Sequence, residues 1–466
     1  MSKKYIEIIH EARDKLNTVG NGFCLAKWNM ETLYLHMGDN HSCYHPRPHK
    51  IDKNLLKTNP SALHNTPWKK EVRKQMMEGK RPEECYYCWN IEDLEGNHIS
   101  DRMKHSSNYI DSTFDDIVKG GWEQDWNPRH LEVSFGNGCN FRCGYCCPQA
   151  SSSWMEEIKR YGNYDLTYNQ YGIEFLGNSD FFNKDDPNPY VDAFWEWWPV
   201  LKKDLRVFRI TGGEPLMNPN TFKLLKMLED EPEPNLEIHL NSNLGVTHRL
   251  VQKLVDHVKV LLEKKAIKGF KLYTSIDTWG PQAEYIRTGL DTVLWEKNLR
   301  YYLDNLPQQD ISFMVTFNVL TVVNFRSLLE KILELRKVYP GNEWHQRVQF
   351  DTPYLKEPPH WMINILPESF NSYMESHLQF IANNLRKNNQ IGFNEIEYEV
   401  FKRVVDYMKQ NPVDAEKIKK GRRDFYIFFN ETDKRNNTDF YSLFPEYLEF
   451  MALCKEEYEN YENSKD

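Results

Sequence analysis

The chain has 466 residues, a net charge of −9, and 40% hydrophobic and 14% aromatic side chains. At roughly 150 residues per domain, that length predicts about three domains with room for substantial cores. The negative balance argues against a generally basic nucleic-acid surface, while leaving room for a local basic patch. Charges throughout residues 1–20 and the lack of any apolar run near ~18 residues argue against a secretory leader or a membrane span, so the expected location is cytoplasmic.

Residues 1–17 predict a short amphipathic helix, with Ile6, Ile9, Ala12 and Leu16 set against charges. The stretch 18–125 is poor in long periodic segments and rich in His, Asn, Pro and Cys, which suits a small domain pinned by a metal cluster. After Arg129, apolar β-branched runs recur at Leu131–Phe135, Arg206–Thr211, Leu236–Asn241, Phe270–Ile276, Ile311–Leu320 and Arg347–Phe350. Helical segments separate most of them, among them Asn220–Leu228, Thr247–Lys264, Thr292–Leu306 and Phe325–Val338. Strand alternating with helix predicts parallel βαβ units, and six such units fit an open (βα)6 partial barrel.

The insert 149–205 is long for a βα connection, and its Phe194-Trp-Glu-Trp-Trp198 run reads as core or interface rather than substrate stacking. Residues 367–411 predict two helices and 435–462 another. The basic run Lys417–Arg423 reads as a solvated face, with phosphate-backbone contact as the alternative. The expected domains are therefore 1–125, 126–365 and 366–466.

Nine cysteines are few for a disulfide scaffold of this length, and they cluster in metal-ligand spacings suited to a reducing compartment. Cys24, Cys43, Cys85 and Cys88 form one group, and Cys139, Cys143, Cys146 and Cys147 a second. Cys454 reads as an ordinary packed or surface thiol, and Cys147 falls outside its neighbours' spacing. Cys139, Cys143 and Cys146 give C-x3-C-x2-C on a glycine-flanked loop directly after a strand. Such a loop can wrap three thiolates around a cube of four irons, leaving one iron open to a ligand. One strand later, Thr211-Gly-Gly-Glu-Pro215 offers a sharp backbone turn and a carboxylate suited to an ammonium group.

C-x3-C-x2-C with Tyr145 before its last cysteine resembles the signature of the radical S-adenosylmethionine (radical SAM) superfamily, over roughly Arg129 to Pro359. The resemblance implies an enzyme in which a [4Fe–4S] cluster on Cys139, Cys143 and Cys146 chelates SAM and delivers an electron. The resulting 5′-deoxyadenosyl radical abstracts hydrogen from a substrate in the barrel mouth. It also places Tyr145 near adenine and Gly212, Gly213 and Glu214 at the SAM amino group. Asn243, in Ser242-Asn243, and Ser275 and Asp277, in Ser275-Ile-Asp277, resemble further strand-end motifs. Arg287 offers a planar fork to the SAM carboxylate. The alternatives are a turn for Asn243, a helix cap for Asp277 and a surface charge for Arg287. The adenine motif of some relatives is not recognisable at Thr316-Phe-Asn-Val-Leu320.

Upstream, the cysteines of Phe23-Cys24-Leu-Ala-Lys-Trp28, His41-Ser-Cys43 and Cys85-Tyr-Tyr-Cys88, followed by Glu92, Gly96, Ser100 and Arg102, resemble the SPASM or twitch auxiliary module, here preceding the barrel. By spacing, four thiols suit an all-thiolate zinc site equally well; the resemblance implies an auxiliary [4Fe–4S] cluster. Expected partners are an electron donor such as flavodoxin or ferredoxin and a peptide or protein substrate. A nucleotide, tRNA or carbohydrate substrate is the second expectation, and a zinc-stabilised interaction protein the non-enzymatic one.

Overall fold

The computed structural model describes residues 3–95, 98–168, 170–171, 187–342, 345–387 and 391–463. Its centre is a nine-stranded sheet in the order β11-β10-β8-β7-β6-β4-β1-β2-β3. The strands are β1 (Met30–Tyr34), β2 (Asp39–His41), β3 (His49–Lys50), β4 (His130–Ser134), β6 (Val207–Thr211), β7 (Glu233–Ser242), β8 (Ile267–Ser275), β10 (Asp310–Met314) and β11 (Val348–Asp351). Two further strands, β5 (Arg142–Cys143) and β9 (Arg287–Thr288), form a small antiparallel ladder of their own.

All six expected βα strands are present as β4, β6, β7, β8, β10 and β11, each parallel to its neighbour. The helices Pro219–Asp230, His248–Glu263, Thr292–Asn305 and Thr321–Val338 fall where expected. The fifth strand is shorter than its apolar run, because Asn318 turns the chain by accepting hydrogen bonds from the Leu320 and Thr321 amides. Among the described residues the order is linear, so the barrel is partial and open.

Strand alternation decides the two faces of this sheet. Leu131, Val133, Phe208, Ile210, Ile238, Leu240, Phe270, Leu272, Ile311 and Phe313 are buried in the main core. The opposite, inner face carries Glu132, Arg209, His239, Asn241, Lys271, Tyr273 and Ser275, all half-buried.

The sheet also crosses the boundary expected at 125/126. β1 runs parallel to β4, pairing Met30 with His130 and Tyr34 with Ser134, so the cysteine-rich N-terminal region extends the barrel sheet. The aromatic run is core: within the helix Pro189–Leu201, Phe194, Trp197 and Trp198 are buried.

The C-terminal region contains the expected helices Asn371–Asn383, Glu395–Gln410 and Leu448–Asn463, and also a 22-residue helix, Ala415–Asn436, that sequence periodicity left unread. The Lys417–Arg423 run opens this helix and is solvated only in part. Arg422 donates to the Ile365 carbonyl, Arg423 is buried, and a Cβ on Gly421 would sit 2.7 Å from Ile365.

Candidate functional site

The cysteine loop begins where β4 ends and is stitched to the Gly-Gly-Glu turn after β6. The Gly213 amide donates to the Gly136 carbonyl (3.1 Å), and the Glu214 amide to the Gly138 carbonyl (2.7 Å). A Cβ on Gly213 would lie 2.4 Å from the Gly138 carbonyl, and Gly212 has a φ of +114°, so both positions need glycine. The helix Ser152–Tyr161 seats the loop from below. Ser151 Oγ donates to the Phe141 carbonyl, Ser153 Oγ to the Cys139 carbonyl, and Ser152 Oγ accepts from the Cys139 amide. The far end is held by the β5–β9 ladder, where Cys143 lies directly opposite Arg287.

Cys139, Cys143 and Cys146 are free, half-buried thiols. The Phe141 amide (3.4 Å) and Asn243 Nδ2 (3.9 Å) face Cys139 Sγ, and Arg287 Nη1 donates to Cys143 Sγ at 3.5 Å. Burial, with Cys143 next, pushes the Cys139 thiol up to about 12. Cys147 lies against Cys146: its side chain is hydrogen-bonded to the Cys146 thiol, and its carbonyl accepts from Cys146 Sγ at 3.8 Å.

Glu214 is fully enclosed. Asn243 N–H (2.6 Å), Ser242 Oγ (2.8 Å) and the Leu216 amide (3.0 Å) all donate to its carboxylate, which ties β6 to β7. Burial outweighs these donors and lifts its pKa to about 7. Asn243 also grips the cysteine loop through Asn140 Oδ1 (2.9 Å). Ser275 lies half-buried at the end of β8, in register with Met314.

Asp277, fully buried, accepts four donors: Arg287 Nε and Nη2 (both 2.9 Å), Tyr145 Oη (2.8 Å) and the Thr316 amide (3.0 Å). Asp277 is therefore a hub beside the cysteine loop rather than a helix cap, and Arg287 is buried rather than a surface charge.

The second thiol group also converges. Cys24, Cys43, Cys85 and Cys88 line one small cavity together with Lys27, His45, Arg102 and His105. Lys27 pairs with Glu84, which also accepts from His49 Nε2 (2.9 Å) and Trp68 Nε1 (2.8 Å). Burial alone would lower the Lys27 pKa, yet the Cys85, Glu84 and Cys43 charges hold it above its ordinary value. Arg102 is clasped by Glu92 through Nε (2.9 Å) and Nη2 (2.7 Å), and Ser100 Oγ donates to the same carboxylate. Gly96 lies outside the described residues. The four thiols surround the cavity without meeting at one point: among the described residues no three Cys, His, Asp or Glu side chains are placed to hold a single ion. Four soft donors with buried cations beside them fit a polynuclear, thiolate-bound anion.

Residues with no sequence signal complete the first site. A Cβ on Gly144 would lie 2.1 Å from the Trp361 ring, so the cysteine loop packs directly on that indole. Tyr171 Oη donates to the Gly144 carbonyl (2.6 Å) and meets His360 Nε2 (3.0 Å). Phe428 and Phe429 of the C-terminal helix lie against Trp361, with centroids 5.8 and 5.1 Å apart. Arg142 reaches Glu157 and Asn436. The C-terminal extension thus buttresses the loop.

Residues 133–332 match the Radical SAM superfamily model. The chain is 26% identical over 165 residues to GTP 3′,8-cyclase of Sulfurimonas denitrificans, covering 35% of this chain and 39% of that one. It is 26% identical over 171 residues to the Rhizobium meliloti enzyme of the same name, covering 35% and 40%. The chain thus spans less than half the length of these curated relatives. Among solved structures, native anSMEcpe with bound AdoMet and Kp18Cys peptide aligns at TM-score 0.34 and 13% identity, over 54% of this chain and 60% of that one. Streptococcus suis SuiB bound to S-adenosylmethionine aligns at 0.35 and 13%, over 76% and 69%. No helix among the described residues is long and apolar enough to cross a membrane.

Proposed function

We propose that this protein is a radical SAM enzyme with a second, auxiliary iron–sulfur site. When bound, a [4Fe–4S] cluster and SAM supply an electron and a 5′-deoxyadenosyl radical able to take a hydrogen atom from a substrate. The observation that carries this reading is the C-x3-C-x2-C loop seated on the Gly-Gly-Glu turn by two backbone hydrogen bonds.

In this reading Cys139, Cys143 and Cys146 hold the cluster, and the Gly212–Glu214 turn with Asn243 receives the SAM amino end. Tyr145, Ser275 and Asp277 border the remainder of the ligand. Burial of the loop under Trp361 and Phe428 excludes water from a radical site. Cys24, Cys43, Cys85 and Cys88 would hold the auxiliary cluster, with Lys27 and Arg102 balancing its charge. By spacing these four thiols suit one zinc ion equally well, and it is the auxiliary-module resemblance that favours an iron–sulfur cluster. An electron donor of the flavodoxin or ferredoxin type completes the system.

A peptide or protein substrate is the reading drawn from the auxiliary-module resemblance. A nucleotide is the second reading, favoured by the name of the curated relatives and by the cationic side chains on the inner face, of which Arg209 also faces Glu132 at 3.7 Å. There Arg209 and Lys271 lie 4.7 and 5.0 Å from the Tyr273 ring centroid, and His239 stands between them in register.

Anaerobic reconstitution followed by iron, sulfide and zinc analysis tests the proposal. About eight irons per chain, at four per cluster, and 5′-deoxyadenosine on reduction with SAM are expected. Zinc without iron, or SAM cleavage surviving the triple change of Cys139, Cys143 and Cys146 to alanine, overturns it.

A further inference from the structure

Arg287 has a place in the fold that a SAM-carboxylate ligand would not need. In the β5–β9 ladder it is the cross-strand partner of Cys143, and side chains directly opposite in an antiparallel pair emerge on one face. The Gly144 amide bonds the Ile286 carbonyl at 2.9 Å, which extends the zipper by one residue. A Cβ on Gly289 would sit 2.8 Å from the Asn140 carbonyl, so the strand after Arg287 also lies close against the cysteine loop. Arg287 is 4% exposed, and Asp277 is completely buried. Asp277 takes Nε and Nη2 in a two-point fork, which aims Nη1 at Cys143 Sγ, 3.5 Å away. The Tyr145 ring lies 5.5 Å from the guanidinium, and its hydroxyl fixes Asp277 from the other side.

We infer that Arg287 is a positioning residue for the Cys143 ligand, not a SAM-carboxylate contact, and that the Arg287–Asp277 pair sets the reduction potential of the metal centre on that loop. This rests on the proposed radical SAM function. Its physical basis is an asymmetric ion pair. The positive member is hydrogen-bonded to the ligand sulfur, and the negative member stands behind it in a buried, low-dielectric setting. A centre gaining an electron is favoured by the nearer cation and opposed by the more distant anion. Removing either charge should therefore move the potential in opposite directions, whereas a purely structural role has no reason to produce opposite signs.

The test uses the full chain, reconstituted anaerobically, with the centre's potential followed by EPR-monitored redox titration and SAM affinity measured separately. Arg287→Gln should make the centre harder to reduce by about tenfold in the one-electron equilibrium, which is about 59 mV. Asp277→Asn, nearly isosteric and still able to accept from Thr316, should shift it the other way. The double variant should return toward the unsubstituted value, and Arg287→Lys should recover part of the shift. SAM affinity in Arg287→Lys should stay within about twofold. Shifts of one sign in both single variants, shifts under about twofold in the equilibrium, or a tenfold loss of SAM affinity at unchanged potential overturn the inference. If Arg287→Gln fails to fold, Asp277→Asn and Arg287→Lys still give the sign. A chain that binds no iron before any substitution overturns the proposed function itself.

Discussion

Glu214 is a carboxylate whose protonation the fold controls, and replacing it with glutamine isolates that control. Burial holds its pKa near 7, against 4.5 for an exposed glutamate, although the Asn243, Leu216 and Ser242 donors pull the other way. Between those two values the folded chain keeps a proton that the unfolded chain has released. Stability from this group is therefore complete below about 4.5 and lost as pH rises through about 7. At 1.36 kcal/mol per unit, the loss is about 3 kcal/mol. Urea denaturation of the cluster-free chain at pH 5 and pH 8 measures it as a difference between the native chain and Glu214→Gln, which cancels every other titrating group. Between those two pH values the native chain should lose about 2.5 kcal/mol relative to the variant, part of the effect being already gone at pH 5. If Glu214 also meets the SAM ammonium, ligand binding near pH 7 should expel about half a proton. Calorimetry in buffers of different ionisation enthalpy reads this directly, and the variant should show no such release. Parallel pH profiles in the two chains would refute the burial argument, and proton-neutral SAM binding would refute the ammonium contact.

Gly144→Ala should push its methyl into the Trp361 ring, which Phe428 and Phe429 hold in place. The expected cost is about 1–3 kcal/mol, seen as a lower Tm and weaker iron retention. Phe428→Ala should cost about 3–5 kcal/mol and expose the cysteine loop to oxidation, measured as faster bleaching of the reconstituted chromophore in air. Cys88→Ala should lower the iron content by up to about four per chain while reductive SAM cleavage persists, because the four-cysteine cavity is separate from the C-x3-C-x2-C loop. Arg209→Gln with Lys271→Gln should raise KM for a nucleotide substrate and leave uncoupled 5′-deoxyadenosine formation unchanged. Unaltered KM in that pair removes the second substrate reading.

Much of this was legible along the chain, because local order suffices for it. Three thiols within eight residues form one ligand loop whatever surrounds them, and alternating apolar runs and helices leave parallel strands little choice but a βα sheet. The expected strands from Leu131 to Phe350 appear within a few residues of their apolar runs. The long C-terminal helix was hidden because the basic run Lys417–Arg423 reads as a solvated face, while the helix rests on Ile365 and Pro359 contacts with no local signature.

Other features depended on contacts between residues far apart in the chain. Joining β1 to β4, gathering four scattered cysteines around Lys27, and turning Arg287 toward Cys143 all require the folded sheet and loops. A single residue type cannot announce such roles: a buried arginine and a surface arginine look alike until the aspartate that holds one of them is in place. The sequence by itself determined where the thiols stand along the chain and the order of the barrel strands. Tertiary structure decided which charges stand beside those groups, because an electrostatic environment is set by distances across the fold.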